Sequence, residues 1–445
     1  MKKLITTLLI TLISLSTYAT HLMGGQIVAT NIGGYNYEIQ LTAYRDTIGI
    51  PMSSFALFEI GRDSAGVTIP ISTLSVLADS TSGGLVTGVS AAYGVEVYTY
   101  TDTVTLPGNG YYTISWNDCC RNHAIINMAN AGSENFALST SFTVDSLSPN
   151  SSPSYLSLPV AYLPSDTLWQ YNPLPFDPDG DSLAWSLVVP LGSNGMVNGY
   201  QFLDDTTLYS NPSNPFALDS ITGELSWNAK MQGNFVAAFL IEEYRNGVKI
   251  GEMRRDMQYI VVSDTSNYLP IISNMMSFPS NSGGYPYVVI SPSQNYSVSL
   301  LASDPNINDV VTLNAFGEPF NLQTSSPSFL TFSTGNGNEI EGIFSWTPNV
   351  LDVRTQPYLV VFRVSDGFFN FDYTVQIEVS STTSVQELEI KNINDNKIYD
   401  MLGRKHNDYK SIPIGLYIKN NNKYIKTQWK NYYLYYYYYL QYYSR

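Results

Sequence analysis

The sequence predicts an all-β protein: tandem antiparallel β-sandwich domains followed by a small C-terminal β domain. Three observations lead there. Apolar side chains fall at every second position in many short runs, turn residues separate those runs, and one stretch of the chain is repeated. In Tyr35–Thr42, Val95–Tyr100 and Tyr373–Val379 the alternation places one set of side chains on one face of a strand. Pro107-Gly108-Asn109-Gly110, Asn246-Gly247 and Asp366-Gly367 are turn signals between such runs. No long segment keeps a helical period.

The repeat has recognisable landmarks. Asp177-Pro178-Asp179-Gly180-Asp181-Ser182-Leu183 is echoed by Asp304-Pro305-Asn306-Ile307-Asn308-Asp309-Val310, and Gly223-Glu224-Leu225-Ser226-Trp227 by Gly342-Ile343-Phe344-Ser345-Trp346. Each copy ends in an alternating strand, Met257–Val262 or Tyr373–Val379. This predicts one sandwich over 151–263 and another over 264–382, with linkers near Ser148–Pro153 and Ser263–Pro270 and a separate N-terminal β domain over 20–150. A chain of 445 residues is long enough for about three domains.

Composition narrows the function. Charged residues are 13% of the chain and the net charge is −15, so it lacks the Lys/Arg surplus that nucleic acid requires. Residues 1–19 read as a signal peptide: Lys2-Lys3, an apolar Leu4–Leu15 and a Thr17-Tyr18-Ala19 cleavage site. Its apolar core is too short for a transmembrane anchor, and no later stretch is long enough to span. The expected destination is therefore the cell surface or the medium. Cys119 and Cys120 are the two cysteines and are adjacent. A vicinal disulfide would be strained, so reduced or buried thiols are the expectation.

Asp177, Asp179 and Asp181 are the candidate metal ligands. Alternate carboxylates on a tight Pro/Gly turn can converge on one calcium ion. An EF-hand is excluded, because its sixth position is Ser182 and its twelfth Val188. The competing reading is an Asx-turn satisfied by its own backbone. Asp304 and Asp309 form a poorer set, since Asn306 replaces Asp179 and Asp309 is shifted. Trp227 and Trp346 read as core tryptophans rather than sugar platforms, and Arg254-Arg255-Asp256 as a solvated strand edge rather than an anion site. Catalytic motifs are missing: the three histidines, His21, His123 and His406, stand in no zinc-protease pattern, and there is no nucleophile elbow or P-loop. Cleavage after Thr20 would leave His21 as an N-terminal copper ligand with His123, but Ala19 is the better site. A non-enzymatic protein is expected. The alternative is a carbohydrate-active accessory protein or enzyme with its site in the N-terminal domain.

Three resemblances extend this reading. The C-terminal stretch 386–428 carries Lys397-Ile398-Tyr399-Asp400-Met401-Leu402-Gly403-Arg404, Ile414-Gly415-Leu416-Tyr417-Ile418 and Lys423-Tyr424-Ile425-Lys426. It resembles a type IX secretion sorting domain of Bacteroidetes, with Asp400, Gly403, Arg404, Gly415, Tyr417 and Lys426 as its motif residues. That implies recognition by the type IX machinery, passage through the outer membrane, and release or attachment to surface polysaccharide. The tyrosine-rich tail, 429–445, follows the family's usual end and has no packing logic for a core. The repeats resemble the cadherin-like and immunoglobulin-like modules of secreted bacterial proteins, and cadherin-like modules hold calcium at such acidic turns. His21–Ile27, Tyr44-Arg45-Asp46 and Asp118-Cys119-Cys120-Arg121-Asn122 resemble a domain at the front of large Bacteroidetes surface and gliding-associated proteins. That family has a further cysteine after the Arg-Asp pair; Thr47 stands there in this chain. Asp-Ser/Thr steps at Thr47, Ser64, Thr103, Ser146, Thr167 and Ser220 resemble the O-glycosylation sequon of these bacteria. Adhesion, display or matrix assembly is the function all this predicts, with glycans or other surface proteins as partners.

Overall fold

The computed structural model describes residues 22–86, 94–263, 266–275, 278–281, 285–323, 325–381, 398–400, 405–406, 415–419 and 422–426. The signal peptide, His21, the tyrosine tail, Gly403 and Arg404 lie outside them. The fold is all-β, as the alternation predicts, and every described helix is a single 3-10 turn. Two compact units divide the chain, one through Ser381 and one from Thr382.

Strands of three or more residues are numbered in chain order. The N-terminal segment supplies β1 (Leu22–Gly33), β2 (Asn36–Asp46), β3 (Phe55–Ser64), β4 (Val67–Leu77), β5 (Val95–Thr105), β6 (Gly110–Cys119) and β7 (Asn135–Val144). The first repeat adds β8 (Val160–Pro164), β9 (Leu168–Tyr171), β10 (Ser182–Val188), β11 (Leu225–Asn228), β12 (Gly233–Arg245) and β13 (Val248–Val262). The second contributes β14 (Tyr287–Ile290), β15 (Tyr296–Ser303), β16 (Thr312–Gly317), β17 (Ser328–Ser333), β18 (Glu339–Trp346), β19 (Tyr358–Ser365) and β20 (Asn370–Val379).

The repeat seen in sequence is a repeat in register. β8 runs parallel to the end of β13, and β14 parallel to the end of β20. Trp227 faces Trp169 across the β9–β11 ladder, and Trp346 faces Tyr296 across β15–β18. Both tryptophans are fully buried, so both are core residues as expected. Asn246 and Gly247 have φ of 52° and 77° and close the β12–β13 hairpin, the left-handed pair that an Asn-Gly turn supplies at least strain.

One 14-stranded sheet contains all seven N-terminal strands together with β8, β10, β12 and β13. The cause is β13. Its 15 residues exceed what one sandwich face needs. One edge pairs with β12 along its length, while the other passes to β7 at Gly251–Met253, β1 at Asp256 and β8 at Gln258–Val262. The ladder therefore crosses the boundary expected at residue 150. Ser148–Pro153, read as a linker, is docked from Asn150 onward: Ser152 exchanges hydrogen bonds with Ala29, and Ser151 Oγ accepts from Asn31 N. The same pairing overturns the reading of Arg254-Arg255-Asp256 as a solvated edge. Arg255 and Asp256 are buried because both edges of the strand are occupied.

The core of the first repeat runs on into the second. Trp169, Trp227, Tyr259, Phe344, Phe362 and Val379 belong to one cluster, whereas Ile27, Ile39, Phe58, Ile114 and Phe136 form a second within the N-terminal strands. The second repeat is a sandwich of two four-stranded sheets, one holding β15, β18 and β17, the other β14, β20, β19 and β16.

In the C-terminal unit, β21 (Ile398–Asp400), β22 (Gly415–Lys419) and β23 (Asn422–Lys426) join Lys405–His406 in a four-stranded antiparallel sheet. Asp400 lies opposite Tyr417, and Gly415 opposite Lys426.

Candidate cation sites at the two acidic turns

Both acidic turns enter the same strand of their repeats, β10 and β16, and both gather carboxylates from distant segments. Oxygens of Asp177, Asp179, Asp181 and Glu243 all lie within 4.8 Å of one another, as do those of Asp304, Asp309 and Asp366. Glu243 and Asp366 were not evident from sequence. The clue for Asp366 was the Asp366-Gly367 turn signal; Glu243 gave none, since it sits in an alternating strand.

In the first turn the two sequence readings coexist on one side chain. Asp177 Oδ1 accepts from the amides of Asp179 and Asp181 at 3.0 and 2.9 Å, which is the Asx-turn. Its Oδ2 is buried without a hydrogen-bond partner, and so is Glu243 Oε1. Burial, reinforced by the neighbouring carboxylates, pushes the proton affinity of Asp177 and of Glu243 upward. A cation placed between these oxygens would relieve that cost.

Arg245 already supplies one positive charge here. Its Nε donates to both Asp181 oxygens at 2.9 and 3.1 Å, and its Nη2 reaches Asp181 at 2.5 Å. The same guanidinium holds the chain before the repeat through Ser148 Oγ, Pro149 O and Asn150 Oδ1, while Ser151 N donates to Asp179 and Asn150 to Glu243.

The second turn is balanced differently. Ser182 pairs with Tyr244 and Thr312 with Ser365, so Arg245 and Asp366 each stand one residue beyond matching positions. The place of an arginine is taken by a carboxylate. Asp304 Oδ1 accepts from Asn306 N, Asp304 Oδ2 is buried and unpartnered, and Asn267 Oδ1 is likewise unpartnered. Asn267 donates to Asp366 Oδ2 at 2.9 Å. Burial raises the proton affinity of Asp304. Among the described residues no Lys or Arg forms an ion pair with this group. Carboxylate, amide and backbone oxygens are the donors calcium takes, and among the described residues the second turn has no ion-paired Lys or Arg to compete with an external cation.

The remaining sequence-derived residues fall elsewhere. Arg45 pairs with Glu96 at 2.8 Å and donates to the carbonyl of Ile50, while Asp46 caps Ile48 N, so both fasten the β2 exit loop. Cys119 and Cys120 are joined in a vicinal disulfide where reduced or buried thiols were expected, and Cys120 is buried. Ser64, Thr103, Ser146, Thr167 and Ser220 are exposed and Thr47 is partly so. With His21 outside the described residues, the copper pair with His123 has no geometry.

No family model matches the chain, and no curated protein does. Solved structures give only slight likeness. Two endo-fucoidan hydrolases of glycoside hydrolase family 107, MfFcnA9 and MfFcnA4, align over 52% and 78% of this chain at 15% and 11% identity, with TM-scores of 0.18 and 0.17. The chain spans 35% and 42% of their lengths. Rst D1-D2 aligns over 51% of this chain and 99% of its own, at 7% identity and a TM-score of 0.17. Likeness at this level transfers neither a reaction nor a site. No described helix is long and apolar enough to cross a membrane.

Proposed function

We propose that this is an exported, non-catalytic protein of the cell surface or medium, sorted by a type IX system and used for adhesion, display or matrix assembly. The observation that carries the reading is the bracing by β13, which ties the N-terminal strands and the first repeat into one ladder. Continuous pairing resists hinging, and a rigid array of β modules holds several contact surfaces at fixed spacing, which is what multivalent attachment needs. Calcium at the acidic turns would stiffen the array further by neutralising Asp177, Asp179, Asp181 and Glu243, or Asp304, Asp309 and Asp366. The pairing of Asp400 with Tyr417 and of Gly415 with Lys426 supports reading the C-terminal sheet as one folded sorting element.

Mass spectrometry of the protein recovered from the outer surface and medium of its host tests this. A chain starting at Thr20 and ending near Val385 is the expected product. An intact C-terminus retained in the periplasm would refute sorting and the surface role with it.

A further inference from the structure

A cleft opens where the two repeats meet. Gln170 on β9, Glu224 and Ser226 at β11, Tyr285 ahead of β14, and Tyr373 and Thr374 on β20 line about 620 Å³ of space open to solvent. Its walls come from both repeats, which hydrogen bonds join across the seam. Asn172 N donates to Asp372 Oδ2 at 2.9 Å, and its side-chain amide donates to Thr222 O and Thr374 Oγ1 at 3.1 and 3.0 Å. Trp169 Nε1 adds a hydrogen bond to Asn370 O at 2.8 Å. Arg363 neutralises Asp372 through two hydrogen bonds of 2.7 Å. A cleft built on such a seam is preformed, so little ordering is left for a ligand to impose.

The lining has a definite chemistry. Both tyrosine hydroxyls are engaged, Tyr285 donating to Asp219 Oδ2 at 2.9 Å and Tyr373 accepting from Ile272 N at 3.2 Å. The rings are thereby held in place, and aromatic carbon surface is what they offer. Between them stand a carboxyl, a carboxamide and two hydroxyls. Burial pushes Glu224 up to about 7, against the lowering effect of a hydrogen bond from Thr374, so near neutrality it can both donate and accept. Gln170 Nε2 reaches Glu224 only at 3.4 Å, which leaves the amide able to turn to a ligand. The lining contains no Lys or Arg, so sulfated and uronic sugars would find no counter-charge.

We propose that this cleft binds neutral saccharide units of a glycan, with sugar hydroxyls on Glu224, Gln170 and Ser226 and the apolar ring face against Tyr285 or Tyr373. Its open mouth suits a chain that continues past the site. The proposal rests on reading the protein as a surface binder and names a ligand class for it.

The test is an array of neutral gluco-, manno-, xylo- and galacto-oligosaccharides beside sulfated and uronic ones, probed with the purified full chain and followed by calorimetry on the best binder. Neutral oligosaccharides should bind, and Tyr285→Ala should weaken them at least about tenfold, or ~1.4 kcal/mol, with the melting midpoint kept. If Tyr285→Ala fails to fold, Ser226→Trp should block the cleft to the same extent. Retention of anionic sugars alone, no binding at all, or full binding by both variants would overturn the proposal. Each of those results leaves the export reading standing, because surface recovery is measured separately.

Discussion

Arg121 and Asp256, 135 residues apart, form an ion pair at 2.8 Å in which both side chains are almost wholly buried. Arg121 belongs to the Asp-Cys-Cys-Arg-Asn motif of the N-terminal segment, and Asp256 to the strand that ends the first repeat. Arg121 also donates to Leu191 O and lies 4.7 Å from the centre of the Phe136 ring. The motif thus helps to pin the N-terminal strands to β13.

Removing one partner should be costly and removing both less so. Asp256→Leu alone strands a guanidinium in the core, and loss of one member of a buried pair costs about 3–5 kcal/mol. The double variant Arg121→Met, Asp256→Leu should recover part of that. Urea unfolding followed by tryptophan fluorescence checks it; equal midpoints for single and double variants would contradict the account.

Calcium should raise the melting midpoint of chelator-treated protein. A single site at a hundred times its Kd adds about 2.7 kcal/mol. Asp304→Asn with Asp366→Asn should remove more of the shift than Asp177→Asn, because the first turn already holds Arg245. Converting Arg245→Gln should then admit a second ion, visible as a rise in calorimetric stoichiometry. An unchanged stoichiometry would show that Arg245 does not compete.

Metal-free protein should lose stability as pH rises. Burial raises Asp177 and Glu243 above their unfolded values, so the native state binds protons that the unfolded chain has released. Stability from this pair is full below the ordinary carboxylate range and declines as pH climbs through the raised values. Chemical denaturation between pH 5 and pH 9 measures it. Glu243→Gln should flatten the profile.

Trp227 should matter to folding alone. It is fully buried, donates from Nε1 to Ser210 Oγ at 2.8 Å and packs edge-on against Phe216, Phe235 and Tyr259. Trp227→Phe should keep any glycan binding while lowering the unfolding midpoint, and Trp227→Ala should cost about 3–5 kcal/mol. Selective loss of glycan binding in a fully stable Trp227→Phe would instead point to a ligand platform.

Much of the fold was legible because strands and turns are local. Period-two alternation marked β2, β5, β13 and β20, and Asn246-Gly247 marked a hairpin whose positive φ angles suit those residues. The clustering of Asp177, Asp179 and Asp181 was legible for the same reason, being set by one turn. Arg255 was misread because a run of charges looks solvated until both neighbours of its strand are known. It is buried under Tyr155, with Gln26 and the Ser157 carbonyl as its acceptors.

The sequence by itself determined the all-β class, the repeat, the core role of Trp227 and Trp346, and which turns carry acid. Each follows from side-chain spacing or composition within a few residues. Tertiary structure decided that β13 serves two modules, that Glu243 and Asp366 complete the acidic clusters, and that Arg245 pairs with Asp181 in one cluster while no described arginine or lysine pairs with the other. Those outcomes depend on which edges of a strand find partners, and pairing between segments a hundred residues apart leaves no local trace in the order of residues.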